Sequence, residues 1–117
     1  MGQNNLLYNL YLVNQAAHND PALINKLLKT FVVSSLQNRS DLKRAFEAKD
    51  WEMMKSLAHK IKTNIDLLDI TELKVGIRKI EIFDGKEYAY QELESLINEV
   101  FDGLQKVEIL LKGEYGL

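Results

Sequence analysis

Apolar residues recur along this chain with the period of an α-helix, and this periodicity restricts the fold more than any other feature. After Pro21 they stand one, three and four residues apart, from Leu23 to Val32, as on one face of an amphipathic helix. No segment shows sustained alternation of apolar and polar residues, and no Asn-Gly or similar turn joins β-branched runs. The chain is therefore predicted to be all-α.

Capping residues and helix breakers divide the chain into segments. Asp20 precedes Pro21 as an N-cap precedes the first helical residue, and Asp50 and Thr71 are suited to the same role before later helices. The first predicted segments are a short helix at about 6–17 and a longer one at about 21–36, followed by a break at 37–40 and one or two further helical turns. Longer helices are predicted at about 50–68 and 71–83, and a last one from about 87 to just before Gly113. Four long helices with short connections predict an antiparallel four-helix bundle with short additional N-terminal helices. We expect a single domain over residues 1–117, with its core at about 8–112.

Composition excludes several functional classes. The net charge of -2 provides no basic field for nucleic acid, and the chain has no cysteine for disulfides, thiolate chemistry or sulfur metal sites. No apolar run approaches the roughly 20 residues that cross a bilayer, and the N-terminal residues do not resemble a signal peptide. We therefore expect a cytoplasmic protein without membrane insertion. Its two histidines, His18 and His59, carry the chemical interest.

His59 is predicted to lie on the solvent face of its helix. With about 100° of rotation per residue, the apolar side chains of this helix project roughly opposite to His59, whereas polar ones lie within about 60° of it. The apolar set is Met54, Leu57, Ile61, Ile65 and Leu68, and the polar set is Glu52, Lys55, Lys62, Thr63 and Asp66. An ordinary surface histidine satisfies this pattern. A metal site is not supported, because the residue four positions after His59 is neither His nor Glu. His18 is expected to be an exposed helix-end residue.

Two lysines give the exposed imidazole a second interpretation. Lys55 and Lys62 lie one helical turn on either side of His59. A neutral imidazole is a competent nucleophile near neutral pH. If it accepted a phosphoryl group, flanking ammonium groups would offset the added negative charge. Residues 43–62 hold six basic and three acidic side chains. This local excess of positive charge is suited to a solvated face or to the electrostatic steering of an acidic partner.

Several short motifs resemble those of a known family. They are Asp50-Trp51-Glu52, Leu57-Ala58-His59-Lys60-Ile61-Lys62, Leu67-Leu68 and Ile80-Glu81, together with the acidic-Pro start at Asp20-Pro21 and the segment from Leu27 to Phe31. In this combination they resemble histidine phosphotransfer (HPt) domains of two-component phosphorelays, over most of residues 8–110.

The resemblance implies a carrier rather than an enzyme. His59 would accept phosphoryl from an aspartyl phosphate on a receiver domain and pass it to another receiver, and Lys62 matches the position that stabilises the phosphoryl group. The expected partners are receiver (response regulator) domains and a hybrid sensor histidine kinase, with the chain itself a monomer. The family has no kinase activity of its own and no cofactor, and magnesium is expected only in the receiver.

Two residues depart from the family pattern. Thr63 stands where the family usually has glycine after the lysine, and its branched side chain narrows the approach to His59, although its hydroxyl is also a possible phosphoryl ligand. Asp66 stands where the family tends to have a small or neutral residue, and its spacing allows an i, i+4 pair with Lys62.

Two functions other than a phosphocarrier are also compatible with an exposed His59. The first is a degenerate HPt-like helical adaptor that binds receivers without carrying phosphate, and Thr63 and Asp66 favour it. The second is a small enzyme that uses His59 as a general base. The sequence disfavours this enzyme because it indicates no carboxylate partner for the imidazole, no pocket-forming segment and no glycine-rich loop.

Overall fold

The computed structural model describes residues 7–86 and 89–117, and this part of the chain consists of helices joined by short turns. The elements are α1 (Tyr11–Ala16), α2 (Pro21–Glu47), α3 (Trp51–Leu67), a 3-10 turn (Thr71–Leu73), α4 (Lys74–Glu81) and α5 (Tyr90–Tyr115). No strand occurs among the described residues. The predicted all-α class is confirmed.

Two of the three predicted N-caps are confirmed. The side chain of Asp20 accepts a hydrogen bond from the Ala22 backbone N–H at the start of α2, and that of Asp50 accepts one from Met53 at the start of α3. These carboxylates satisfy backbone donors that have no partner within the helix. Thr71 does not cap α4, because it is the first residue of the 3-10 turn and makes no capping hydrogen bond.

The predicted break at 37–40 is wrong, because α2 is continuous through this segment. Gln37 donates a hydrogen bond to Asp41 one turn later, at 3.0 Å. Arg39 pairs at 2.7 Å with the buried carboxylate of Glu108 on α5, which also accepts a hydrogen bond from Ser35. Of the polar residues that indicated a break, Arg39 therefore connects α2 to α5.

The last helix also extends beyond its predicted end. Gly113 lies inside α5, and Gly116 ends the helix with a φ of 67°. This left-handed conformation carries little steric cost for glycine, which has no Cβ. The predicted start near residue 87 lies outside the described residues, and α5 is described from Tyr90.

The helices pack consecutively around a common apolar core. α2 contacts α3, α3 contacts α4, α4 contacts α5, and α5 contacts α2. Each of the helices α2 to α5 contributes buried side chains, for example Leu57, Ile61 and Ile65 from α3 and Ile77 and Ile80 from the eight-residue α4. Among the described residues, no helix has the length and apolar character needed to cross a membrane.

Candidate functional site

His59 projects from the middle of α3 into solvent. Its side chain is 64% exposed, whereas Met54, Leu57 and Ile61 on the opposite side of α3 are buried. The predicted orientation of this helix is confirmed. The imidazole is therefore accessible to another macromolecule.

A carboxylate from a neighbouring helix contacts the imidazole. Glu81, the last residue of α4, places its Oε2 2.6 Å from Nδ1 of His59. The expectation that His59 has no carboxylate partner is thus wrong. The two residues are 22 positions apart and meet only because α4 packs against α3.

Lys62 shares the same carboxylate. Its Nζ lies 3.5 Å from Oε1 of Glu81, so the two oxygens of one side chain contact the imidazole and the ammonium group separately. Lys62 is held by this cross-helix contact, and the i, i+4 pair with Asp66 is not formed. His59, Lys62 and Glu81 together are hereafter called the His59 cluster.

The hydrogen bond with His59 lowers the pKa of Glu81, and the nearby charge of Lys62 acts in the same direction. A carboxylate accepts hydrogen bonds, so its ionised form favours the imidazole tautomer with the proton on Nδ1. That tautomer leaves the lone pair on Nε2. Because the pKa of Glu81 is lowered on folding, its stabilising contribution is complete above the ordinary glutamate value of about 4.3 and is lost as the pH falls through the lowered value.

Aromatic packing fixes the end of α4 that carries Glu81. Phe83 is buried, and its ring meets the edge of Trp51 with a centroid distance of 5.1 Å and an interplanar angle of 80°. Gly85 has a φ of 100°, and a Cβ at this position would lie 3.1 Å from Nε1 of Trp51. Trp51 thus joins the start of α3 to the loop that follows α4.

The remaining predicted site residues surround this cluster at different depths. The exposed Thr63 donates a hydrogen bond from Oγ1 to the backbone carbonyl of His59, at 3.1 Å. Its hydroxyl is therefore engaged within α3, and its methyl group remains on the helix surface. Lys55 and Asp66 are half-buried, and neither forms an ion pair with a described residue.

His18 lies apart from the cluster. It is exposed directly after α1 and has a φ of 51°, as expected of a residue that ends a helix. Within the described ranges, no three His, Asp or Glu side chains are close enough together to hold a metal ion.

A sequence signal for Glu81 exists in retrospect. Glu81 follows the buried Ile80 and stands four residues after the buried Ile77, at the edge of the apolar stripe of α4. An acidic residue at such an edge borders the neighbouring helix. Periodicity alone does not identify that neighbour as α3, nor the facing residue as His59.

Comparisons with protein-family models, with curated proteins and with solved structures find no match for this chain. The functional interpretation therefore depends on the chemistry and geometry of the His59 cluster.

Proposed function

We propose that this chain is a histidine phosphotransfer domain of a two-component phosphorelay, with His59 as the phosphoacceptor. The observation that carries the proposal is an exposed imidazole whose Nδ1 contacts a carboxylate while a lysine lies on that same carboxylate. This arrangement leaves Nε2 as the nucleophilic nitrogen. It also holds the positive charge of Lys62 on the carboxylate that contacts the imidazole.

The proposed step is a direct transfer between two side chains. The Nε2 lone pair attacks the phosphorus of a receiver's aspartyl phosphate, the N–P bond forms, and the P–O bond to the aspartate breaks with its electron pair leaving on the carboxylate. The proton stays on Nδ1, where Glu81 stabilises the positive charge that the ring acquires. Transfer to a second receiver reverses these events.

The division of labour between the partners is part of the proposal. The receiver contributes the acyl phosphate and its magnesium ion, while this chain contributes the nucleophile, Lys62 and Glu81 and has no kinase activity of its own. The continuous packing of α2 through α5 supports a four-helix bundle as the scaffold, preceded by the short α1. A monomeric carrier in the cytoplasm, serving a hybrid sensor kinase and a response regulator, completes the proposal.

Phosphotransfer from a phosphorylated receiver domain tests this function directly. We expect acid-labile, alkali-stable label on the wild-type chain, no label on His59→Gln, and full labelling of His18→Gln, the matched control at the other histidine. Labelling of His59→Gln at the wild-type level would overturn the proposal.

Thr63 favours a second candidate, an adaptor that binds receivers without carrying phosphate. Its methyl group occupies a surface position next to His59, where it narrows the approach of the acyl phosphate. If the chain is an adaptor, the wild-type protein and the His59→Gln variant should bind receivers with the same affinity, and neither should carry phosphate. A measured binding affinity beside each labelling experiment separates the two candidates.

A further inference from the structure

An apolar groove runs between α2 and α5. It encloses about 720 Å³, and its walls include Val33 and Leu36 from α2 and Leu117 after α5. Val33 and Leu36 are 67% and 63% exposed, although side chains of this kind normally lose free energy when left in water. The groove is thus an apolar surface that no described part of the chain covers.

The residues along the α2 wall have the spacing of a helix-packing seam. Lys29, Val33, Leu36 and Ser40 all line the groove and follow one another at intervals of four, three and four. This is the spacing at which one helix presents a continuous stripe to another. The stripe is about 16 Å long at 1.5 Å per residue, which suits about three turns of a partner helix.

The charged side chains that line the groove are of one sign. Lys29 lies on the α2 side and Lys112 on the α5 side, and no Asp or Glu among the described residues lines the cavity. The nearby Arg39 is neutralised by Glu108. A second copy seated on this groove by two-fold symmetry would add the same two lysines and no carboxylate from the groove lining, so charge complementarity favours an acidic partner.

We infer that the α2–α5 groove binds an acidic amphipathic helix of another protein. Apolar side chains of that helix contact Val33 and Leu36, and its carboxylates pair with Lys29 and Lys112. The groove lies between α2 and α5, whereas the His59 cluster joins α3 to α4. The two surfaces can therefore be occupied at once, and the groove does not depend on the proposed phosphotransfer.

A synthetic peptide provides the probe. A helical peptide of about 14 residues with leucines at seam spacing and glutamates beside them is compared with the same peptide carrying lysine at each glutamate. By fluorescence anisotropy with the full chain, we expect the acidic peptide to bind at least about tenfold more tightly. Val33→Ser combined with Leu36→Ser should weaken its binding at least about tenfold, and Lys29→Glu combined with Lys112→Glu should reverse the preference.

The matched control is Val75→Ser combined with Ile82→Ser, two positions of similar exposure on and after α4. This variant should bind the acidic peptide as the wild type does, and circular dichroism checks that every variant folds. The inference would be overturned if the two peptides bound with equal affinity, or if the control variant lost as much affinity for the acidic peptide as the groove variant. A concentration-dependent dimer that the groove substitutions abolish, or binding to phosphatidylserine vesicles without binding to the peptide, would also overturn it.

Discussion

At the scale of single residues, one carboxylate organises the candidate site. Glu81 contacts the imidazole through one oxygen and Lys62 through the other, so it favours one tautomer of the imidazole and holds the neighbouring positive charge in place. A substitution at Glu81 should therefore affect the proposed transfer without removing His59, the proposed nucleophile.

Glu81→Gln tests this positioning role. A glutamine amide donates as well as accepts hydrogen bonds, so it does not impose the Nδ1–H tautomer. The substitution also removes the carboxylate that would stabilise a phosphorylated ring. Because a hydrogen bond to a charged group contributes about 1.5–3 kcal/mol, we expect single-turnover transfer to slow about tenfold or more. Nitrogen-15 NMR of the ring should show less Nδ1–H tautomer.

Glu52→Gln is the matched control, since Glu52 is an exposed residue of α3 and makes no hydrogen bond or ion pair with His59. It should keep the wild-type rate and tautomer. A Glu81→Gln chain that also kept both would show that the 2.6 Å contact does not position the imidazole.

Thr63→Gly tests whether the methyl group next to His59 limits access. Removing it should accelerate transfer from a receiver about threefold, which corresponds to relief of about 0.6 kcal/mol of steric repulsion. The helix should lose less than about 1 kcal/mol in stability. Thr63→Ser, which retains the hydroxyl, should be faster than the wild type for the same reason. Unchanged rates in both variants would show that this side chain is not an obstacle.

At the scale of the elements, two glycines of α5 have opposite surroundings. A Cβ at Gly103 would lie 2.6 Å from Cδ2 of Leu73 in the 3-10 turn, whereas a Cβ at Gly113 would meet nothing within 4 Å. Gly113→Ala should therefore stabilise the protein by up to about 1 kcal/mol, the helix-propensity gain. Gly103→Ala should destabilise it by about 1 kcal/mol or more through overpacking.

Urea denaturation of the two variants gives this comparison. Equal and stabilising effects at both positions would contradict the close contact between α5 and the 3-10 turn. A destabilised Gly113→Ala would contradict the extension of α5 through residue 113.

The ion pair between Arg39 and Glu108 connects α2 to α5 inside the molecule. Glu108 is 6% exposed, and removal of its partner leaves a buried charge uncompensated. Arg39→Met should therefore cost about 3–5 kcal/mol, and the double variant Arg39→Met with Glu108→Leu should regain most of that loss. A double-mutant cycle by urea denaturation measures the coupling, and purely additive losses would contradict it.

At the scale of the whole molecule, local sequence patterns predict where the helices lie, but they do not predict which helices contact one another. The N-caps at Asp20 and Asp50 and the exposed position of His59 follow from capping chemistry and helical periodicity, which act within a few residues. Arg39, inside the continuous α2, pairs with Glu108 on α5, and the partner of His59 depends on how α4 packs against α3. Such contacts join residues far apart in sequence, where periodicity carries no information.

The same packing separates two surfaces of the molecule. The His59 cluster joins α3 and α4, and the lysine-flanked groove lies between α2 and α5. Substitutions on one surface should therefore leave the other unaffected. This separation allows the proposed chemistry and the inferred docking to be tested independently.

The most direct test of the proposed function is to locate the transferred phosphate within the imidazole of His59. After transfer from a phosphorylated receiver, phosphorus–nitrogen couplings in a nitrogen-15-labelled chain identify the substituted ring nitrogen. The contact between Glu81 and Nδ1 predicts phosphate on Nε2 of His59. Phosphate on Nδ1, or on any residue other than His59, would contradict the account.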